Sequence, residues 1–268
     1  MLVTLLTDFG TADYFAGAMK GAVLASNPHA QVVDITHEIP PHDVEAGAFT
    51  LLAAFGAFPA GTVHVAVVDP GVGSSRRPIA VATPGHIFVG PDNGIFGYVY
   101  ERVETFSVFH LTNESYFRRD VSATFHGRDI FAPVAGALAR GVAVEELGPR
   151  VEDFVRLPFA RPERRADGML VGAIIHVDRF GNCITNVALR DLPSEVSGRG
   201  LRLSVGGREV NHFRRFFADE SGAQGGEPFA IWGSAGLLEL AVFRDSAARV
   251  LGTGRGARVL ISEKANSA

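Results

Sequence analysis

The chain carries a single cysteine, Cys183, among 268 residues. An internal disulfide is therefore excluded, and so is any metal site built from a set of thiolates. Lysine is almost as scarce: only Lys20 and Lys264 occur, so 23 of the 25 basic residues are arginine. The formal net charge is −4, which gives no bulk electrostatic case for nucleic acid or an anionic membrane as partner. No apolar run reaches about 18 residues, so no membrane span is expected. The opening run, MLVTLLTDFG, contains Asp8 and lacks a basic leader region, so it does not read as a signal peptide. A soluble cytoplasmic protein is the expectation. No GxxxxGK[ST] loop, HExxH pair or GxSxG elbow is present. Gly71-Val72-Gly73-Ser74-Ser75-Arg76 begins like a dinucleotide fingerprint, but it ends in arginine and runs into a proline and a strand instead of a helix. His37 and His42 lie five positions apart with two prolines between them, which is poor ligand spacing. Neither a metal nor a cofactor is expected.

What remains is ordinary globular material, 47% hydrophobic and 20% charged. Apolar, β-branched runs at 2–7, 31–35 and 62–68 alternate with helical spacing from about 13 and across 43–58. Asp13 and Asp43 suit the two helix starts. Further strands are expected at 78–83 and 86–89, a short helix at 95–100 and an apolar helix at 130–139. This is the βαβ rhythm of a mostly parallel sheet with flanking helices. A charged, proline-rich stretch at 149–168 marks a boundary. Beyond it come short, glycine-separated strand candidates at 169–177, 182–187, 201–205, 208–210, 230–232, 237–242 and 259–261. The expected organisation is an α/β domain over 1–158 and a smaller, β-barrel-like domain over 166–268.

Residues 62–78, TVHVAVVDPGVGSSRRP, form the most informative stretch. A buried strand ends at Asp69, Pro70-Gly71 turns the chain, and Arg76-Arg77 follow. Ligands of open α/β sheets bind beyond the carboxyl ends of strands, where Asp8, His37 and Asp69 fall. His126 sits in a second loop, TFHGRD, leading into a helix at the same edge. Asp69, Arg76 and His126 could together hold one water, since carboxylate accepts, guanidinium only donates and imidazole can do either. An adjacent guanidinium also favours the ionised carboxylate. The same residues would equally fit an aspartate bonding its own turn, a surface ion pair and a histidine at a helix start.

LLTDFG, THEIPP, VVDPGVG with RRPIA, GPDNG, TFHGRDIFAP and VDRFGNCITN occur in this order. Together they resemble the S-adenosyl-L-methionine (SAM) hydroxide adenosyltransferases, or SAM hydrolases, relatives of fluorinase and chlorinase. The resemblance runs from Leu5 to about Ala248. It implies hydrolysis of SAM to adenosine and L-methionine by water attack at ribose C5′. It further implies water handling by Asp69, Arg76 and His126, and ribose hydroxyls on Asp8. Asp178 would receive the methionine ammonium, Asn182 would read the adenine edge, and Ser234 would lie near the methionine carboxylate. Phe180 and Phe125 would pack on adenine or ribose, though core packing serves Phe125 as well.

Four departures from the halogenating relatives matter. Asp69 and Val72 stand where the fluorinase pattern has Tyr and Thr, and Gly127 replaces a Ser. A carboxylate lining an anion pocket repels halide, so water is the expected nucleophile. Ala235 replaces the Arg that follows the Ser in fluorinase. The resemblance also implies a homotrimer with sites at subunit interfaces. The competing readings are a halide-dependent 5′-halo-5′-deoxyadenosine synthase and a non-catalytic SAM- or adenosine-binding module.

Overall fold

A computed structural model describes residues 1–157, 161–192, 201–219 and 226–263. The chain divides into two compact units, Met1–Phe159 and Ala160–Ala268.

Unit 1 opens with β1 (Leu2–Thr7), α1 (Phe15–Ser26), β2 (Gln31–Thr36), α2 (Val44–Phe55) and β3 (Thr62–Val67). It continues with β4 (Pro78–Ala82), β5 (His86–Pro91), α3 (Gly97–Arg102), β6 (Ser107–His110), α4 (Ala132–Ala139) and β7 (Arg150–Val151). The strands form one sheet in the order β2-β1-β3-β5-β4-β6-β7. The first four run parallel, and β4, β6 and β7 add an antiparallel edge. Because side chains alternate across a strand, the unbroken apolar runs serve two cores. Val63, Val65 and Val67 of β3 join Val3 and Leu5 beneath α1 and α4. Ala66 and Val68 join Leu6 on the other face beneath α2 and α3. With both faces covered, the chain can open only at the strand ends.

Asp43 caps α2, its Oδ1 accepting from the Ala46 N–H at 3.0 Å. Asp13 does not cap α1, which begins at Phe15 after Tyr14 with no side-chain cap. Packing fixes that start instead: the Phe15 ring meets Tyr14 at 4.4 Å and Phe125 at 5.3 Å. The chain turns at Pro70-Gly71 as expected, Val72 N–H closing back on the Asp69 carbonyl, and the positive φ (+77°) falls two residues later, at Gly73. Strands β6 and β7 carry no period of their own and exist through pairing with β4 and with each other. Part of the expected linker is thereby recruited into the sheet, while residues 158–160 lie outside the described residues.

Unit 2 contains β8 (Glu163–Arg164), β9 (Leu170–Val177), β10 (Cys183–Ala188), β11 (Leu201–Val205), β12 (Arg208–Val210) and β13 (His212–Phe213). These are followed by β14 (Pro228–Trp232), β15 (Leu237–Val242), α5 (Ala247–Leu251) and β16 (Arg258–Glu263). The sheet order is β12-β11-β16-β9-β10-β15-β14-β13, with β8 paired to β9. It curls into a nearly closed barrel, β12 at one end approaching β14 near the other. Leu170, Ile174, Leu203, Leu238, Leu240 and Val259 fill its interior. The short helix α5 breaks an otherwise all-β reading, capped by Ser246 Oγ accepting from the Arg249 N–H at 3.1 Å. Among the described residues no helix is long and apolar enough to cross a membrane.

Candidate active site

The carboxyl ends of β1 and β3 deliver Asp8 and Asp69 to one cavity of about 330 Å³ on unit 1, lined also by His42, Val72, Phe125 and His126. The Asp69 loop is held by nested short-range bonds. Val72 N–H donates to the Asp69 carbonyl at 3.2 Å, and Ser74 Oγ donates to the Gly71 carbonyl at 2.7 Å. A Cβ on Gly73 would lie 2.2 Å from the Ala123 carbonyl oxygen, so only glycine lets this loop close on the loop carrying His126. Consecutive arginines then point apart. Arg77 pairs with Asp92 at 2.8 Å. Arg76 turns inward, its Nε donating to Asp69 Oδ1 at 3.0 Å and its Nη2 to Oδ2 and, at 2.8 Å, to His126 Nδ1. Both side chains of the Asp69–Arg76 pair are buried, at 5% and 9% exposure.

Arg76 therefore joins the three residues expected to act together, contacting both Asp69 and His126. A guanidinium cannot accept a hydrogen bond, so His126 Nδ1 must be the acceptor and the neutral ring carries its proton on Nε2. Burial holds His126 below the usual histidine value, and the Arg76 charge beside it pushes the same way. A bidentate arginine bond leaves Asp69 two of about four acceptor positions. The arrangement offers one carboxylate acceptor and one imidazole donor to a small polar molecule.

Asp8 Oδ2 accepts from the His42 N–H at 2.8 Å, which leaves most of its acceptor capacity unused. That bond holds His42 at φ +67°, a conformation uncommon outside glycine and frequent at functional sites. Its spacing from His37 does not suit metal binding, and the sequence carries no other signal for His42. Phe125 serves the core and the cavity at once. It is 7% exposed, edge-on to Phe9 at 5.8 Å and to Phe15 at 5.3 Å, with the Arg128 guanidinium 5.0 Å above it. His37 is not part of the cavity lining; its Nδ1 bonds Thr7 Oγ1 at 2.8 Å. A second hollow on unit 1, about 640 Å³, lies beside α1. Of its three arginines, Arg128 is engaged by Asp129 at 2.7 Å and Arg140 by the Ser26 carbonyl at 2.6 Å, while Arg118 reaches Asp129 only at 3.8 Å.

The other predicted residues gather on unit 2. Asp178, Phe180, Asn182, Ser234, Trp232 and Glu239 line a cavity of about 950 Å³, with Arg215 and Arg244 also on its wall. Asp178 follows β9 directly and organises the turn into β10. Its Oδ1 accepts from Phe180 N–H at 2.9 Å and Asn182 N–H at 2.8 Å, and its Oδ2 from Asn182 Nδ2 at 2.9 Å. Asn182 is buried, whereas the Phe180 ring is 77% exposed, an aromatic face open for stacking. Glu239 joins this lining without a sequence signal. In LLELAV it reads as the polar position of an alternating strand.

Residues 3–148 match the SAM hydroxide adenosyltransferase N-terminal domain and residues 172–260 its C-terminal domain. An (R)-S-adenosyl-L-methionine hydrolase from Salinispora tropica is 46% identical over 67% of this chain and 69% of its own length. One from Salinispora arenicola is 39% identical over 97% of both chains. A fluorinase from Actinoplanes is more distant, at 27% identity over 90% of both. The crystal structure of an uncharacterized conserved protein from Thermotoga maritima superposes with a TM-score of 0.88 at 34% identity, covering 98% of this chain and all of that one. With both domains matched and a relative aligned along nearly its whole length, the chain belongs to the SAM hydroxide adenosyltransferase family.

Proposed function

We propose that the protein hydrolyses SAM to adenosine and L-methionine, with water attacking ribose C5′. The observation that carries this reading is the Asp69–Arg76–His126 contact set at a cavity shared with Asp8. In the reaction the water oxygen bonds C5′, the C5′–S bond breaks, and its electron pair neutralises the sulfonium. One proton leaves the water. The departing thioether needs no acid, and the step calls for no cofactor. What the protein supplies is alignment and a proton acceptor. Asp69 accepts from the water, while His126 Nε2–H donates to its oxygen and fixes the lone pair that attacks. Asp8 receives the ribose hydroxyls. On unit 2, Asn182 and Phe180 take adenine, Asp178 the ammonium, and Ser234 the carboxylate. Arg215 and Arg244 on the same cavity wall supply the positive charge that Ala235 does not.

Halide transfer is disfavoured because Asp69 and Val72 line the unit 1 cavity, so an incoming anion meets a carboxylate. A binding module without catalysis would have no use for the buried Asp69–Arg76 pair. The family resemblance supports a homotrimer in which one subunit's Asp8–Asp69 cavity is completed by another subunit's Asp178–Asn182 cavity. The test is product analysis after mixing protein with SAM in oxygen-18 water. Adenosine labelled at the 5′ oxygen is expected. Unlabelled adenosine, or 5′-chloro-5′-deoxyadenosine in saturating chloride, overturns the reading.

A further inference from the structure

Asp178 cannot by itself satisfy an ammonium group. A carboxylate has about four acceptor positions, and an ammonium brings three donors. Three donors of Asp178's own turn are already in place: Phe180 N–H, Asn182 N–H and Asn182 Nδ2. One position, on Oδ2, remains. The cavity that Asp178 lines contains two further carboxylates, Asp245 and Glu239. Asp245 is already taken by the Ser246 N–H and the Arg249 guanidinium, which leaves Glu239. Glu239 lies in the middle of the barrel sheet on β15, with Ile184 of β10 and Ile231 of β14 directly across from it. Leu238 and Leu240 on either side point into the barrel core, so Glu239 projects from the outer face.

Gly233 makes room for that carboxyl. A Cβ on Gly233 would fall 1.7 Å from Glu239 Oε1, yet Gly233 is not in the left-handed region that would itself call for glycine. The glycine is there for space. The setting is unfavourable to a free anion: burial, and then the negative charge of Asp178, hold the Glu239 carboxyl above the usual carboxylate range. A cation between the two carboxylates relieves both effects.

We propose that Glu239 is a second receiver for the substrate's α-ammonium group, acting beside Asp178. It thereby selects a sulfonium bearing an amino-acid tail over one whose tail lacks the amine. This rests on the functional reading above. The probes are SAM and an S-adenosyl sulfonium lacking the α-amino group, each tested against wild type and Glu239→Gln by turnover and by calorimetric binding. Glu239→Gln should raise KM and Kd for SAM about tenfold or more, with kcat changed less than about threefold. For the deaminated probe, wild type and variant should agree within about twofold. Gly233→Ala, which displaces the carboxyl without removing it, should shift SAM in the same direction. Equal losses on both probes, unchanged SAM affinity, or a loss confined to kcat overturns the proposal. Wild type that binds SAM without turning it over defeats the hydrolase reading alone, because calorimetry still reads the role of Glu239.

Discussion

Arg76 touches both other members of the trio, and because a guanidinium only donates, it dictates what each can do. It leaves Asp69 as the acceptor and forces the His126 proton onto Nε2. Protonating Nδ1 would break the 2.8 Å bond and set two cations against each other. His126 is held below its ordinary value, so the neutral ring dominates at pH 7. Activity should fall as pH drops through that lowered value, giving an acid limb in kcat below about 6.5. Asp69→Asn should lower kcat by about a hundredfold or more while KM changes little. A matching loss in KM would remove Asp69 from water handling. Removing one partner of the buried pair also strands the Arg76 charge, at a cost of about 3–5 kcal/mol. Urea unfolding must accompany the kinetics. Asp69 and Arg76 were legible because they lie seven residues apart in one turn-rich loop. Glu239 and His42 were not. One depends on strands that meet only in the folded barrel, the other on a backbone conformation imposed by Asp8.

Elements with strong local signals were legible in the sequence, namely the β-branched runs of β1 and β3 and the Asp43 cap of α2. Elements defined by partners were not: β6 and β7 are short and pair with strands distant in sequence, and β8 is two residues held only by its neighbour β9. The β3–β5 pair shows how much a buried element can hide. At the amino end of these strands, away from the cavity, His64 is fully buried. Its Nδ1 lies 2.7 Å from Thr4 Oγ1 and its Nε2 3.2 Å from His86 Nδ1, against the Phe88 ring at 5.1 Å. Burial lowers its pKa to about 3, and the neighbouring His86 pushes the same way. The unfolded chain binds this proton below about pH 6.5 and the folded chain does not. Stability should therefore decline as pH falls from about 6.5 towards 3, by up to a few kcal/mol. His64→Phe removes the titration and leaves the Thr4 hydroxyl unpaired, so it should be less stable at pH 7 yet flatter across this window. Urea midpoints from pH 7 to 4.5 compare the slopes, and superimposable slopes would show that His64 is not the acid-sensitive group.

The whole molecule divides its proposed chemistry between two cavities, one wholly on each unit. In that proposal Asp8, Asp69 and His126 handle ribose and water, and Asp178, Asn182 and Glu239 handle adenine and the amino-acid tail. Each protomer carries both sets, so assembly decides which set serves which. Under the proposed homotrimer, every site takes its unit 1 cavity from one subunit and its unit 2 cavity from another. Asp69→Asn and Asp178→Ala subunits would each form inactive trimers. Co-expressed in equal amounts with random assembly, they should regain about a quarter of wild-type activity, because one interface in four joins two intact cavities. If each chain built its own site, every site in the mixture would carry a lesion and nothing would be regained. Light scattering on the same samples establishes whether the mixed species is trimeric. Recovery in a trimer, against none when either variant is expressed alone, would place catalysis between chains.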